Sequence, residues 1–178
     1  EYSGSWYRIM DDGSRVLQEI PGNCDAERNE KITVESLLPE DLSETTYLCF
    51  RSGKQDMEFY IDDELRQIYE TNETRKIGSL SAVAYIFVKI EPEDAGKTIR
   101  FTTQTDSSYT GIFYTIYQGS QMAIWSHYFT IYGAEMIVAL LVLILSAIAI
   151  IGSLFLQRVY QRRIDLEYLG WGVAFAGI

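Results

Sequence analysis

The stretch MIVALLVLILSAIAIIGSLFL, Met136–Leu156, runs for twenty-one residues without a charge. As an α-helix rising about 1.5 Å per residue it reaches roughly 30 Å, the thickness of a bilayer's hydrocarbon core. A helix buried in a soluble core is shorter or carries a polar stripe. The stretch therefore reads as a transmembrane helix, and it divides the chain into two unlike parts.

Its flanks orient it. Trp125, Tyr128, Phe129 and Tyr132 precede it at spacings of three and four, which places them on one helical face. Amphipathic rings at that position suit the lipid–water interface, and packing on the preceding domain is compatible with the same spacing. After the stretch come Arg158, Arg162 and Arg163, the only Lys or Arg residues beyond Arg100. Short basic loops stay in the cytoplasm, so residues 157–167 are expected inside and residues 1–135 outside the cell membrane.

A second apolar run, Tyr168–Ile178, follows the basic loop. Eleven residues do not cross a bilayer, so this run reads as the truncated start of a second helix in a multi-pass protein. Ala139, Ser146, Ala149 and Ser153 share one face of the first helix, and small residues there let another helix approach closely. Glu1 begins no signal peptide, although a domain placed outside requires export; a removed or omitted targeting segment is expected before it.

The 178 residues are 47% hydrophobic with only 3 prolines, as in a folded chain rather than a disordered one. Fifteen Lys and Arg against 25 Asp and Glu give a net charge of −10, which argues against nucleic-acid binding. Residues 1–134 contain 22 of those acids and 12 of the bases, so the whole negative charge lies in the first part. Two cysteines and one histidine are too few for a four-ligand zinc site, and no cofactor is expected.

Residues 1–120 read as a β-sandwich. Short runs rich in β-branched and aromatic residues recur near 5–10, 16–20, 31–37, 45–51, 57–61, 65–69, 82–90, 98–103 and 112–118. Alternation is clearest in Ile99/Phe101/Thr103 and in Ile112/Tyr114/Ile116. Eight or nine short strands and no intervening amphipathic helix make an all-β jelly-roll sandwich the expected fold. Residues 121–135 read as a juxtamembrane linker, 136–156 as the first transmembrane helix.

Within the sandwich, FYI-DD-ELRQIY reads as a tight hairpin in which Asp63 stands where glycine is usual, so the turn is longer or strained. Cys24 and Cys49 admit two readings. A disulfide would close a loop of about 25 residues and stabilise by about 3 kcal/mol. Alternatively, Cys49 between Leu48 and Phe50 serves as a small hydrophobe.

Several segments together resemble a known arrangement: Ser5-Trp6, Leu38-Pro39, Leu48–Ser52, Phe59–Asp62 with Ile68-Tyr69, Ile90–Ile99, Ser108-Tyr109, Gly119 and Leu169-Gly170. In this order they are similar to the extracytoplasmic jelly-roll region of bacterial membrane signalling proteins. In those proteins a galactose-binding-like sandwich precedes several transmembrane helices and a cytoplasmic GGDEF (diguanylate cyclase) domain or a histidine kinase. The resemblance implies a sensory module that is not itself an enzyme and that governs a downstream effector. The competing reading is a membrane-anchored carbohydrate-binding or adhesion module without output. Expected partners are the lipid bilayer, a small molecule, sugar or protein outside, and a second copy of the chain.

Candidate ligand-binding residues are aromatic. Trp6, Tyr60, Tyr85 and Tyr109 would stack on a sugar ring if exposed, and against this stands the ordinary role of tyrosine as a core and cross-strand partner. Arg51, at a strand end, suits an anionic ligand or one of the chain's own acids. The carboxylates of Asp62–Glu64 and of Glu91, Glu93 and Asp94 fall in turns, where charges stay solvated. They show no EF-hand spacing, and nothing places two of them across a cleft.

Overall fold

A computed structural model describes residues 1–71, 83–160, 168, 171 and 172. The chain divides into two compact units, Glu1–Ile124 and Trp125–Ile178. The first is a β-sandwich and the second is carried by one long apolar helix, in the order the hydrophobic patterning predicts.

The larger layer is a six-stranded antiparallel sheet in the order β2-β1-β4-β9-β6-β7. Its strands are β1 (Trp6–Ile9), β2 (Arg15–Gln18), β4 (Ile32–Leu37), β6 (Asp56–Ile61), β7 (Glu64–Tyr69) and β9 (Thr98–Gln104). The smaller layer, in the order β11-β5-β8, comprises β5 (Thr46–Arg51), β8 (Tyr85–Ile90) and β11 (Tyr117–Gly119). A two-residue pair, β3 (Gly22–Asn23) with β10 (Ile112–Phe113), lies apart from both sheets.

Period-two alternation decides which side faces in. Ile32 and Val34 of β4, Met57, Phe59 and Ile61 of β6, and Ile86, Val88 and Ile90 of β8 are all buried. Between the layers the rings form one cluster. Phe101 lies 5.3 Å from Trp6, 5.2 Å from Phe50 and 6.0 Å from Phe113 in tilted or edge-on contacts, and Phe50 lies 4.7 Å from Phe59. Burying each such ring contributes about 1.5–3 kcal/mol, and the ring pairs add about 0.5–1.5 kcal/mol beyond that.

Three details depart from the strand pattern. The expected strand over 112–118 is two strands: β10 pairs with β3, and β11 pairs with β5. The 62–63 turn joins Ile61 to Glu64 with only Asp62 in the left-handed region, at φ 50°. Its carboxylate accepts the Thr98 N–H at 3.0 Å, which holds a non-glycine residue in that conformation. The same hairpin contains a bulge at Phe59/Tyr60 that leaves Arg66 unpaired in the ladder.

The cysteines remain thiols rather than a disulfide. Cys49 is fully buried in β5, flanked across its neighbouring strands by Phe87 and Tyr117. Cys24 packs beside the core and donates its backbone N–H to Gly111 O. Of the two readings, the structure takes the small hydrophobe.

Helix α1 (Gln121–Tyr160) begins fifteen residues before the apolar stretch. Residues 121–135, the juxtamembrane segment, are therefore helical and continuous with the apolar stretch. Ser120 caps this helix: its Oγ accepts the Ala123 N–H at 3.2 Å. Forty residues extend about 60 Å. The helix is long and apolar enough to cross a membrane, and only 11% of its most apolar window is buried, unlike the core helix of a soluble protein. Ser146 and Ser153, on the small-residue face, are buried, and the Ser146 hydroxyl donates back to Val142 O at 2.7 Å. Arg162, Arg163 and most of the 168–178 run lie outside the described residues.

Candidate functional site

At one end of the sandwich the turn Arg51-Ser52-Gly53-Lys54-Gln55 joins β5 to β6. Gly53 and Lys54 both take positive φ, 54° and 68°, and the Gln55 N–H closes the turn on Ser52 O at 2.9 Å. Ser52 is buried; its Oγ accepts the Ala84 N–H, and its own N–H donates to Ala84 O. The turn is thereby fixed to the start of β8.

Gln55 fixes a second loop to the first. Its side chain is buried, and its Nε2 donates to Tyr109 O at 2.6 Å and to Ile112 O at 3.0 Å. Its Oε1 accepts the Thr103 hydroxyl at 2.7 Å. The Thr105 hydroxyl donates to Lys54 O at 3.0 Å, and the Lys54 ammonium lies 5.0 Å over the Tyr109 ring. Both amide hydrogens of one buried side chain thus position the 105–112 loop against the 51–55 turn, while its oxygen ties the turn to β9 through Thr103.

On this frame sits an arginine–tyrosine stack. The Arg51 guanidinium lies 4.6 Å from the centroid of Tyr114. Tyr114 also covers Gly53 so closely that a Cβ there would fall 2.4 Å from the ring. The Arg51 Nε is buried and has no hydrogen-bond partner among the described residues. Arg51 is also one of the residues lining a small cavity of about 10 Å³, with Gln55, Tyr114, Phe113, Ile116 and Ile20 among others. That volume accommodates one water-sized group.

The five sequence-derived ligand residues separate accordingly. Arg51, Tyr85 and Tyr109 come together at this end, since Tyr85 is the cross-strand partner of Arg51. Trp6 does not join them. It is 3% exposed and wedged among Tyr2, Phe50 and Phe101, so it is a core residue and not a sugar platform. Tyr60 lies on the outer face of the large sheet, where its hydroxyl donates to Glu58 Oε2 at 3.0 Å and Arg100 stacks 5.0 Å over its ring. Tyr114 and Gln55 were not singled out from the sequence. An Arg-Ser-Gly-Lys-Gln turn is a recognisable signal, but the partner ring sixty residues later is not.

Among the carboxylates, Asp94 is not a solvated turn residue as expected. It is 1% exposed, accepts the Glu91 N–H at 3.0 Å, and pairs with Arg66 at 2.9 Å and Lys97 at 3.0 Å. Burial alone would raise its pKa; the Glu91 N–H, Lys97 and Arg66 outweigh burial and hold the carboxyl below its ordinary value. On the outer face Glu58 is likewise lowered, chiefly by its hydrogen bond from Lys31. Among the described residues no group of three or more His, Cys, Asp or Glu side chains could hold a metal ion.

On α1, Trp125 and Tyr128 lie 6.2 Å apart, and Tyr128 stacks on Tyr132 at 6.4 Å. Phe129 is 59% exposed on the adjoining surface. These rings form the aromatic face that their spacing predicts, and Arg158 stands exposed in the last turn of the helix.

No protein-family model matches this chain, and no curated protein is significantly similar to it.

Proposed function

We propose that the chain is the sensory and membrane portion of a bacterial transmembrane signalling protein. Its sandwich lies outside the cell and binds a small ligand at the Arg51–Tyr114 end. Its helix crosses the membrane as the first of several and conveys the bound state to a cytoplasmic effector, a diguanylate cyclase. The motif resemblance supplies the effector class, and the fold supplies the mechanical argument.

The observation that carries this reading is the junction of β11 and α1. Gly119 ends a strand paired to β5, Ser120 caps the helix, and Gln121 begins it. One residue separates sheet from helix, and Ile124 in the first helical turn is buried. A rotation or shift of β11 reaches the helix without slack, which is what two-state transmission through a membrane requires. The same β5 that pairs with β11 ends at Arg51, so the candidate site and the junction share a strand.

Four glycines inserted after Gly119 in the full-length protein test the reading. Cyclic di-GMP in cells should become independent of substitutions in the sandwich while the protein remains in the membrane. Output that still follows the sandwich after the insertion would overturn the transmission mechanism. Protease applied to intact cells should remove residues 1–120; their protection would overturn the orientation.

A further inference from the structure

Helix α1 carries an apolar seam ahead of its membrane stretch, and we infer that this seam pairs in parallel with the same seam of a second copy of the chain. The inference rests on the reading that α1 crosses the membrane with residues 1–135 outside, and it names the partner of that outer segment.

Met122, Trp125, Phe129, Tyr132 and Met136 recur at spacings of three, four, three and four on one continuous helix. That spacing is the heptad rule of a coiled coil, with Met122, Phe129 and Met136 at position a and Trp125 and Tyr132 at position d. All five are between 42% and 78% exposed. Burying large apolar side chains is favourable by about 1.5–3 kcal/mol each, and a contiguous exposed row of them marks a surface that meets lipid or protein. Further along, Ser146 and Ser153 continue the d phase but are already buried, so the exposed seam is confined to residues 122–136.

Distance decides between lipid and protein. Glu135 is the only acid between Asp106 and Asp165, and a carboxylate in hydrocarbon is costly, so the hydrocarbon begins at Met136. At about 1.5 Å per residue, Phe129, Trp125 and Met122 then stand about 10, 16 and 21 Å beyond that edge. A tilt of about 20° shortens these distances by less than a tenth. The headgroup layer is only about 5–8 Å deep on each side. Lipid therefore reaches Tyr132 and at most Phe129, and leaves Trp125 and Met122 uncovered.

A second copy covers them. Both copies enter the bilayer the same way round, so their outer helices run parallel and each seam residue meets its counterpart, as a parallel heptad seam requires. His127 and Glu135, the residues of 121–136 that carry charge near neutral pH, fall at positions f and g, so neither opposes itself across the seam. Two heptads make a small interface, and confinement of both chains to one bilayer supplies the effective concentration that holds it together.

Oxidation of single-cysteine variants of the full-length protein with copper phenanthroline, in native membranes, tests the pairing. Cys49 is buried and Cys24 half-buried, so the unsubstituted protein sets the background. Met122→Cys, Trp125→Cys and Phe129→Cys should form disulfide-linked dimers severalfold faster than Thr130→Cys and Ala134→Cys, because only a and d positions bring counterparts within disulfide reach. Three seam positions keep the comparison decisive if one variant fails to insert. Equal cross-linking at seam and off-seam positions, or seam positions no faster than background, would overturn the pairing. Strong quenching of Trp125 fluorescence by brominated-chain phospholipid, read in a Trp171→Phe variant, would overturn it in favour of lipid. Protease and the glycine insertion read orientation and transmission by signals that do not depend on the pairing, so a failure here is distinguishable from a failure there.

Discussion

Arg66 Nη2 lies 2.9 Å from Asp94 Oδ1, which ties the bulge of β7 to the 3-10 turn Pro92–Asp94 that leads into β9. The bulge supplies the reach: Arg66 is the residue that the register shift leaves out of the ladder. Asp94 meanwhile closes its own turn by accepting the Glu91 N–H and draws in Lys97 from the far side. One carboxylate at the sheet edge therefore organises three segments.

Removing it should be costly. Asp94→Ala leaves Lys97 and a backbone N–H without this acceptor and leaves Arg66 with the exposed Glu64, 3.3 Å away. Arg66 is 23% and Lys97 36% exposed, so solvent recovers part of the loss. A destabilisation of about 3 kcal/mol is expected, below the upper range for breaking a fully buried pair. Thermal unfolding followed by near-ultraviolet circular dichroism should show it, and a change under about 1 kcal/mol would mean the pair is solvated like a surface bridge.

The same carboxyl sets an acid limit. Its pKa in the folded protein is lowered from the ordinary 3.8, so its contribution is fully present above that value and is lost as pH falls through the lower folded value. Glu58, lowered from 4.5, acts in the same direction. Stability should decline on acidification below about pH 4, and Asp94→Asn should flatten that decline without changing the slope above pH 6. An unchanged acid limb in Asp94→Asn would assign the decline to other groups.

Two glycines separate backbone strain from steric contact. Gly13, in the β1–β2 turn, has φ 79° and open space where a Cβ would stand; Gly53 has φ 54° and the Tyr114 ring 2.4 Å away. Gly13→Ala should cost about 1 kcal/mol for the left-handed conformation alone. Gly53→Ala should cost about 2–3 kcal/mol, because Tyr114 must also move, and it should weaken any ligand held by Arg51. Equal losses in melting temperature for the two variants would show that Tyr114 yields freely.

How far the sequence disclosed this arrangement depends on the range of the interaction. Period-two patterns such as Ile99/Phe101/Thr103 are local, and the sandwich strands follow them. The 112–118 run misled because alternation does not report a change of ladder partner: β10 belongs to β3 and β11 to β5, and Tyr114 in the gap crosses to Arg51 and Gly53. Asp94 looked like any acidic turn residue because one of its partners, Arg66, stands twenty-eight positions away. Trp6 looked like a platform because its enclosure by Phe50 and Phe101 is a property of the packed layers. For the ligand site, Arg51, Tyr85 and Tyr109 were legible as residue types, whereas the Gln55 amide that assembles their loops was not.

The thiols offer a chemical test of the packing at β5. Cys49 is fully buried, and Cys24 is half-buried with burial pushing its thiol up from the ordinary 9.0 despite the opposing charge of Arg8. Because the thiolate is the reactive form, both should resist alkylation in the native protein at pH 7.5. Under denaturing conditions without reductant, both should label fully, giving a mass increase of two adducts. In native protein Cys24 should react slowly and Cys49 only as the sandwich opens, so Asp94→Ala should accelerate Cys49 more than Cys24. Protein that takes up no adduct when denatured, and two after reduction, would instead show a disulfide and require β5 to sit differently against the 22–24 segment.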